Sequence, residues 1–362
     1  MTSGAFPFEA NPNPVDAAER AARLVDPGFG RVFTDHMVTI RYSDAKGWHD
    51  ANVGPRAPLT LDPATAVLHY AQEIFEGLKA YRLADGSMAL FRPEQNARRF
   101  QRSAKRLAMP ELPEDMFLQA CKQLVQVDKD WFPPVDGGSI YLRPFMIASE
   151  VFLGVKPSAE YLFMVIASSA GNYFKSGAPA ISIWVSEQYT RAARGGTGAA
   201  KCGGNYAASL VAQSEAIREG CDQVVFLDAA EHRWVEELGG MNLFFLFDDG
   251  SLLTPPTDGT ILEGITRDSV LTLARAQGLT VREERYAMDQ WRADAESGRL
   301  VEVFACGTAA VVTPVGTVKS TQGVFTIGAG GAGQMTQQIR TKLVDIQRGA
   351  AADTHGWVQR ID

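Results

Sequence analysis

A single lysine, Lys201, stands between two glycine-rich arms in the run Gly195-Gly196-Thr197-Gly198-Ala199-Ala200-Lys201-Cys202-Gly203-Gly204-Asn205-Tyr206. No other part of the chain restricts its possible folds as strongly. Glycine lets backbone pass close to a ligand and take conformations that residues with a Cβ avoid. The run therefore reads as a tight loop that delivers one amine, with a tyrosine five residues on. An amine held in a poorly hydrated place loses its proton more readily than one in water, which is what a Schiff-base lysine needs. Taken alone, the pattern also fits a flexible loop with a solvated lysine. The rest of the chain has to separate the two readings.

With 362 residues the chain is too long for one ordinary core and fits two domains. A net charge of −7 argues against a nucleic-acid surface. The four cysteines (Cys121, Cys202, Cys221, Cys306) have no paired spacing, which suits a reducing compartment. No basic segment followed by an apolar run opens the chain, and no apolar run is long enough to cross a bilayer. The five histidines form no HxxxH or HxH pattern, so no metal site is expected. These features together predict a cytoplasmic protein without membrane or nucleic-acid partners.

Residues 1–31 read as a loose arm, 35–42 as a strand, and the stretch through Pro63 as a loop. The turn Ala84-Asp85-Gly86-Ser87 predicts a hairpin between 74–82 and 88–91, because Asp-Gly supplies turn geometry. Pro93 opens a helix in the first-turn position, where proline is tolerated. A second helix is expected over 113–130 and strands over 140–147 and 161–166. The small, polar stretch 168–179 marks a boundary. The expected organisation is a small N-terminal α+β domain (1–174), a linker (175–190) and a larger C-terminal mixed α/β domain carrying the lysine (191–362). In the latter, a helix over 205–219 with Asn205 as N-cap precedes strands at 223–228, 234–238 and 242–247. Helices near 266 and over 289–297, strands over 301–305 and 309–314, and a closing helix over 335–348 complete it.

Three segments could hold an anion. One is Arg98-Arg99-Phe100-Gln101-Arg102, where one inward arginine would clamp a phosphate. Another is Leu262-Glu263-Gly264-Ile265-Thr266, a glycine turn running into a helix whose free N–H groups and dipole attract negative charge. The third, Cys306-Gly307-Thr308-Ala309, adds a hydroxyl and amides. Glu236-Glu237 lies between two apolar stretches, so burial of one carboxylate beside a cationic partner is plausible. A protonated pyridine nitrogen would be such a partner. Lysine, tyrosine, phosphate donors and a partnered carboxylate are the parts a pyridoxal phosphate enzyme needs.

With those parts in view, the chain resembles the branched-chain amino-acid aminotransferases, pyridoxal-phosphate enzymes of fold type IV (class IV aminotransferases). The resemblance runs from FTDHM at 33–37 to KLVDIQRG at 342–349. It includes LHYAQEIFEGLKAYR (68–82), SIYLRP (139–144), GTGAAKCGGNYAASL (196–210), EELGGMNLF (236–244), LEGITRDSV (262–270) and CGTAAVVTP (306–314). It implies pyridoxal 5'-phosphate bound between a small and a large domain, and ping-pong transfer between Leu, Ile or Val and 2-oxoglutarate. Lys201 would form the Schiff base and shuttle the proton. Tyr206 would bond the cofactor's phenolate oxygen and Glu237 its pyridine nitrogen. Arg99, the amides of Ile265 and Thr266, and Thr308 would hold the phosphate, with Leu262 against the ring. The substrate carboxylate would meet Thr308, Ala309 and the Tyr141 hydroxyl. Phe75, Tyr70, Tyr141 and Tyr173 would wall an apolar pocket, while Arg143 at its edge would pair with the side-chain carboxylate of glutamate. Tyr70 and residues 151–155 would reach into the site of a second subunit, implying a homodimer.

Two departures stand out. Mammalian members carry a CxxC pair where this chain has Ala310 and Thr313, so that thiol switch should be absent. Gly240 stands where some members have threonine. Other readings are a type IV aminotransferase for aromatic or D-amino acids, and a non-catalytic pyridoxal-phosphate protein. The second would be expected to lack Lys201 or Glu237. A nucleotide-binding module finds no GxxxxGK[ST].

Overall fold

Strand-forming residues dominate the middle of each half of the chain. In the computed structural model, which describes residues 4–135, 137–171 and 180–361, they build two separate sheets, each with its own helices. The chain forms two compact units. The first comprises Met1–Lys175, Ala200–Gly203 and Ile346–Asp362; the second comprises Ser176–Ala199 and Gly204–Asp345.

The first unit contains α1 (Ala17–Arg23), β1 (Val32–Ser43), β2 (Gly47–Pro55), α2 (Val67–Tyr70), β3 (Glu73–Phe75), β4 (Leu78–Arg82) and β5 (Met88–Phe91). They are followed by α3 (Pro93–Arg106), α4 (Glu114–Val127), β6 (Ser139–Ala148) and β7 (Glu160–Ala170). The sheet order is β17-β5-β4-β6-β7-β1-β2, with β17 (Val358–Ile361) from the far end of the chain and β3 paired to β6. The hairpin predicted at Asp85-Gly86 is β4–β5, with Ala80 opposite Leu90. Helix α3 starts at Pro93 and presents two inward stripes at helical spacing. Ala97, Phe100 and Ala104 form the apolar one, and Phe100 meets Phe117 of α4 and Phe163 of β7 at 5.6 and 5.5 Å between ring centroids. Asn96, Arg99 and Ser103 form the other, buried and polar.

The second unit contains β8 (Ile181–Ser186), α5 (Gly203–Arg218), β9 (Gln223–Leu227), β10 (Val235–Leu238), β11 (Asn242–Phe247) and β12 (Ser251–Thr254). Next come α6 (Ile265–Ala276), β13 (Thr280–Glu283), α7 (Met288–Glu296), β14 (Leu300–Gly307), β15 (Val311–Ser320), β16 (Gly323–Thr326) and α8 (Gln334–Gln347). Its order is β10-β9-β8-β15-β14-β11-β12-β13, with β16 paired to β15. Every residue of β11 (NLFFLF) is buried, as expected of a strand covered on both faces. Phe244 stacks on Phe304, and Phe245 meets the fully buried Trp291 edge-on.

Several expectations change. Residues 47–55, expected in a loop, form β2 because they pair with β1. Within the expected loose arm, 17–23 is a helix capped by the Asp16 side chain. Residues 181–186 of the expected linker form β8, paired in parallel with β9 and β15. Asn205 is not an N-cap, since α5 starts at Gly203; its side chain instead accepts from Thr197 Oγ1 (2.6 Å) and donates to Thr197 O (2.8 Å). Ala200–Gly203 cluster with the first unit, whereas the sequence reading placed the lysine in the C-terminal domain.

Candidate active site

Lys201 is held by its backbone on both sides. Its N–H donates to Ser103 Oγ of α3 (2.9 Å), and its carbonyl accepts from Phe75 N–H (2.9 Å). The Nζ lies 4.8 Å from the Phe75 ring centroid. Two residues on, Gly203 N–H donates to the Glu73 carboxylate, and a Cβ on Gly203 would stand 2.3 Å from Glu73 Oε1. Only glycine allows that approach, so the second glycine arm has a steric cause. Burial raises the Glu73 pKa, opposed by the Gly203 N–H and the Arg143 charge.

Arg99 faces Glu76 through a fork of two bonds, Nε to Oε1 at 2.7 Å and Nη2 to Oε2 at 2.8 Å. Both side chains are buried. Burial would push the Glu76 carboxyl up, but Arg99, the Lys201 charge and the Asn96 amide (2.8 Å) hold it below the usual range. Glu76 lies within the FEG motif, yet nothing local in the sequence pairs it with Arg99, 23 residues away.

A cavity of about 170 Å³ in the first unit is lined by Phe29, Phe33, Tyr141, Arg143 and Ile166 among others. Arg143 Nη2 donates to the Tyr141 hydroxyl (3.2 Å), and its guanidinium stacks 4.8 Å from the Phe75 ring. Gly77 makes room for Tyr141, because a Cβ there would sit 1.9 Å from the Tyr141 hydroxyl. The cavity thus combines apolar walls with the Arg143 guanidinium and the hydroxyl-bearing side chains of Tyr141 and Ser168. Tyr70 is not among its lining residues; half-exposed, it donates its hydroxyl to Leu153 O and stacks on Phe152. Tyr173 lies outside the described residues.

In the second unit, Glu237 on β10 is buried. Its Oε1 accepts from Leu262 N–H (2.8 Å) and pairs with Arg191 Nη1 (2.9 Å), while its Oε2 accepts from the Asn242 amide (3.2 Å). Asn242 also donates to Leu262 O (3.1 Å), so the Leu262 backbone is tied on both sides. Three residues later α6 begins, its N-cap Gly264 offering no side chain to the amides of Ile265, Thr266 and Arg267. A Cβ on Gly264 would collide with Asn242 Oδ1 at 2.1 Å. Asn242 pairs with Cys306 across β11 and β14, and the turn Thr308-Ala309-Ala310 follows Gly307. Tyr206 lies on the first turns of α5, and a Cβ on Gly240 would approach its ring at 3.6 Å.

In the second unit the structure therefore brings Glu237, Arg191, Asn242 and Leu262 into one hydrogen-bonded group packed against Gly264, the N-cap of α6, with the 308–310 turn at the end of the strand that pairs with Asn242. In the first it groups Lys201, Phe75 and Arg143, with Glu76 linking Arg99 and Asn96. Sequence reasoning missed Arg191, Glu76, Ser103 and Asn242. Arg191 stands ten residues before Lys201, and its arginine-alanine-alanine-arginine context has no marker of burial.

The class IV amino-transferase family model matches residues 73–318. A branched-chain-amino-acid aminotransferase of Mycolicibacterium smegmatis is 56% identical over 368 residues, covering 100% of both chains. The branched-chain amino acid aminotransferase of Escherichia coli superposes with a TM-score of 0.71 at 31% identity, over 84% of this chain and 94% of that one. A branched-chain amino acid aminotransferase from T.th., solved with N-(5'-phosphopyridoxyl)-L-glutamate, superposes with a TM-score of 0.70 at 29% identity, over 89% and 98%. The two-sheet architecture is that of these structures, fold type IV. Full-length identity, the family match and the shared fold agree: the chain belongs to the class IV aminotransferases, among the branched-chain-amino-acid aminotransferases.

Proposed function

We propose that this aminotransferase exchanges the amino group of L-leucine, L-isoleucine or L-valine with 2-oxoglutarate by a ping-pong route, with pyridoxal 5'-phosphate attached at Lys201. The first observation behind this reading is the fixed backbone of Lys201, beside an aromatic ring and near a buried carboxylate. The names of the relatives and the glutamate adduct in one of the solved structures support the substrate classes.

The residues present fit the cofactor. Pyridoxal 5'-phosphate, when bound, supplies the electron sink that makes the substrate Cα–H acidic. Lys201 Nζ moves the proton at that carbon. Glu237, fixed by Arg191 and the Leu262 N–H, holds a proton at the pyridine nitrogen. The Tyr206 hydroxyl would bond the cofactor's ring oxygen, and Leu262 would help hold the ring. Arg99, the Ile265 and Thr266 amides and Thr308 bind the phosphate, using the uncapped start of α6. The substrate carboxylate meets the Tyr141 hydroxyl and the Thr308 and Ala309 amides. Apolar side chains pack on Phe75, Tyr141 and, in the assembled enzyme, Tyr70 and Tyr173, while Arg143 pairs with the distal carboxylate of glutamate. The two units correspond to the small and large domains.

A homodimer completes the proposal. Leu68, Val151, Leu153 and Val155 are all more than half exposed in the single chain, and Val155 reaches 91%. Such clustering of large apolar side chains on a surface marks an interface.

The test is optical. The cofactor-loaded protein should lose its visible absorption on adding L-isoleucine and regain it with 2-oxoglutarate. Bleaching by D-alanine or L-phenylalanine but not L-isoleucine would overturn the substrate assignment.

A further inference from the structure

The second unit holds a cavity of about 270 Å³ that none of the residues proposed for cofactor or substrate lines. Glu236, the neighbour of Glu237 on β10, is one wall. Successive side chains of a strand point to opposite sides, and here that separates two carboxylates completely. Glu237 turns to Arg191, Leu262 and Asn242, whereas Glu236 turns to the cavity. Glu236 is 7% exposed, and its Oε2 has no hydrogen-bond partner. A buried acceptor left unsatisfied is costly, and natural structures rarely carry one without a reason.

The surroundings say what would satisfy it. Trp234, Pro255, Pro256 and Ile261 give the cavity apolar and aromatic walls. Asp228 and Asp258 also line it and add negative potential at Glu236. Arg194 and Arg285 are at the wall too, but both pair with Asp258, at 3.0 and 3.5 Å. The Thr260 side chain, hydrogen-bonded to the Glu236 carboxyl, and the charge of Arg191, which is committed to Glu237, favour the ionised form. Burial nevertheless keeps the Glu236 carboxyl above its ordinary pKa, the state of an acid still lacking a cation. The volume lies just below the ~300–1,000 Å³ of ligand clefts, suiting a small amine rather than a nucleotide.

We infer that this cavity is a second binding site, separate from the catalytic one, for a small ammonium ion with an apolar body whose N–H donates to Glu236 Oε2 while the body packs on Trp234. It does not depend on the cofactor reading. The probe is N,N-dimethylbenzylammonium, a tertiary ammonium with one N–H that cannot condense with an aldehyde and so cannot be captured by the cofactor. Calorimetry on the holoenzyme near neutral pH should show one saturable site per chain. Glu236→Gln keeps the shape and removes the charge, and should weaken binding at least tenfold. Ala229→Leu fills the cavity without touching the carboxylate and should abolish it. Phenylacetate should not bind there, and benzyltrimethylammonium, lacking the N–H, should bind more weakly than the probe. The inference is overturned by absence of saturable binding, by binding unchanged in both variants, or by a preference for phenylacetate.

Discussion

Replacing Arg191 by methionine tests how the second unit holds Glu237. The two side chains are 2% and 3% exposed and meet at 2.9 Å. Arg191 also donates from Nη1 to Thr260 O (2.9 Å) and reaches Gly198 O at 3.4 Å, so one guanidinium ties three segments. Methionine preserves much of the length and apolar stem but strands a buried carboxylate without its arginine. Breaking one side of a buried pair typically costs ~3–5 kcal/mol, because the remaining charge stays desolvated. Against a total stability of ~5–15 kcal/mol, this is a large loss. At ~2–4 °C per kcal/mol for units of this size, the melting temperature of the cofactor-free protein should fall by roughly 10 °C. The cofactor-free form is the right sample, since bound ligand would add its own stabilisation. The double variant Arg191→Met/Glu237→Leu removes both charges and should recover most of the loss, because apolar replacements of buried pairs are often neutral. Thermal and urea unfolding of the wild type, two single variants and the double variant give the coupling directly. If the double variant loses the sum of the two single losses, the pair is uncoupled and Arg191 does not hold Glu237.

The remaining predictions concern chemistry and pH. Lys201→Ala should fold and show no turnover; near-wild-type transamination would remove Lys201 from the proposed mechanism. Glu237→Gln should keep the cofactor and lose about two orders of magnitude in rate, typical for one preorganised electrostatic partner, and the same loss in Glu236→Gln instead would exchange their roles. Arg143→Met should impair the glutamate half-reaction far more than the isoleucine half-reaction, at ~2–5 kcal/mol against ~1–3 kcal/mol; equal single-turnover losses would make Arg143 a structural residue. Burial would raise the Glu283 carboxyl, but Arg267 and Arg275 outweigh it and lower its folded pKa. Its stabilisation is therefore present above the unfolded value of about 4.3 and lost as pH falls through the lower folded value. The stability difference between wild type and Glu283→Gln should shrink on acidification from pH 7 to pH 3.

Local signals were read well where local physics decides. Proline at the start of α3 and the Asp-Gly hairpin each have a cause within a few residues, whereas Gly203 is visible in the sequence but its cause, the Glu73 carboxylate, lies 130 residues away. Pairing partners distant in sequence were not readable. Strand β17 forms because Val358 finds Phe91 and Ile361 finds Met88, and nothing near residue 358 announces that edge. The same holds for β2 and β8, whose neighbours in the sheet, not their composition, make them strands. Asn205 shows the opposite failure, in which a residue favoured as an N-cap has its side chain bonded to Thr197 and lies inside the helix instead.

Two neighbouring pairs show how geometry selects among residues that a sequence leaves equivalent. On α3, Arg98 and Arg99 are successive arginines, but a helical step of about 100° sends them to different surroundings. Arg98 is exposed and meets Glu114 at 3.3 Å, an arrangement that contributes little. Arg99 falls on the buried stripe with Asn96 and Ser103, opposite Glu76. On β10 the step is about 180°, and the separation is complete. Glu237 enters a net of donors that anchor its carboxylate, while Glu236 enters a separate cavity with one oxygen unsatisfied. A shift of one residue in the pairing of β10 with β9 would exchange the two. The register of that short strand, with Val235 opposite Leu227 and Leu238 opposite Val225, therefore decides which glutamate meets Arg191, Leu262 and Asn242 and which faces the cavity.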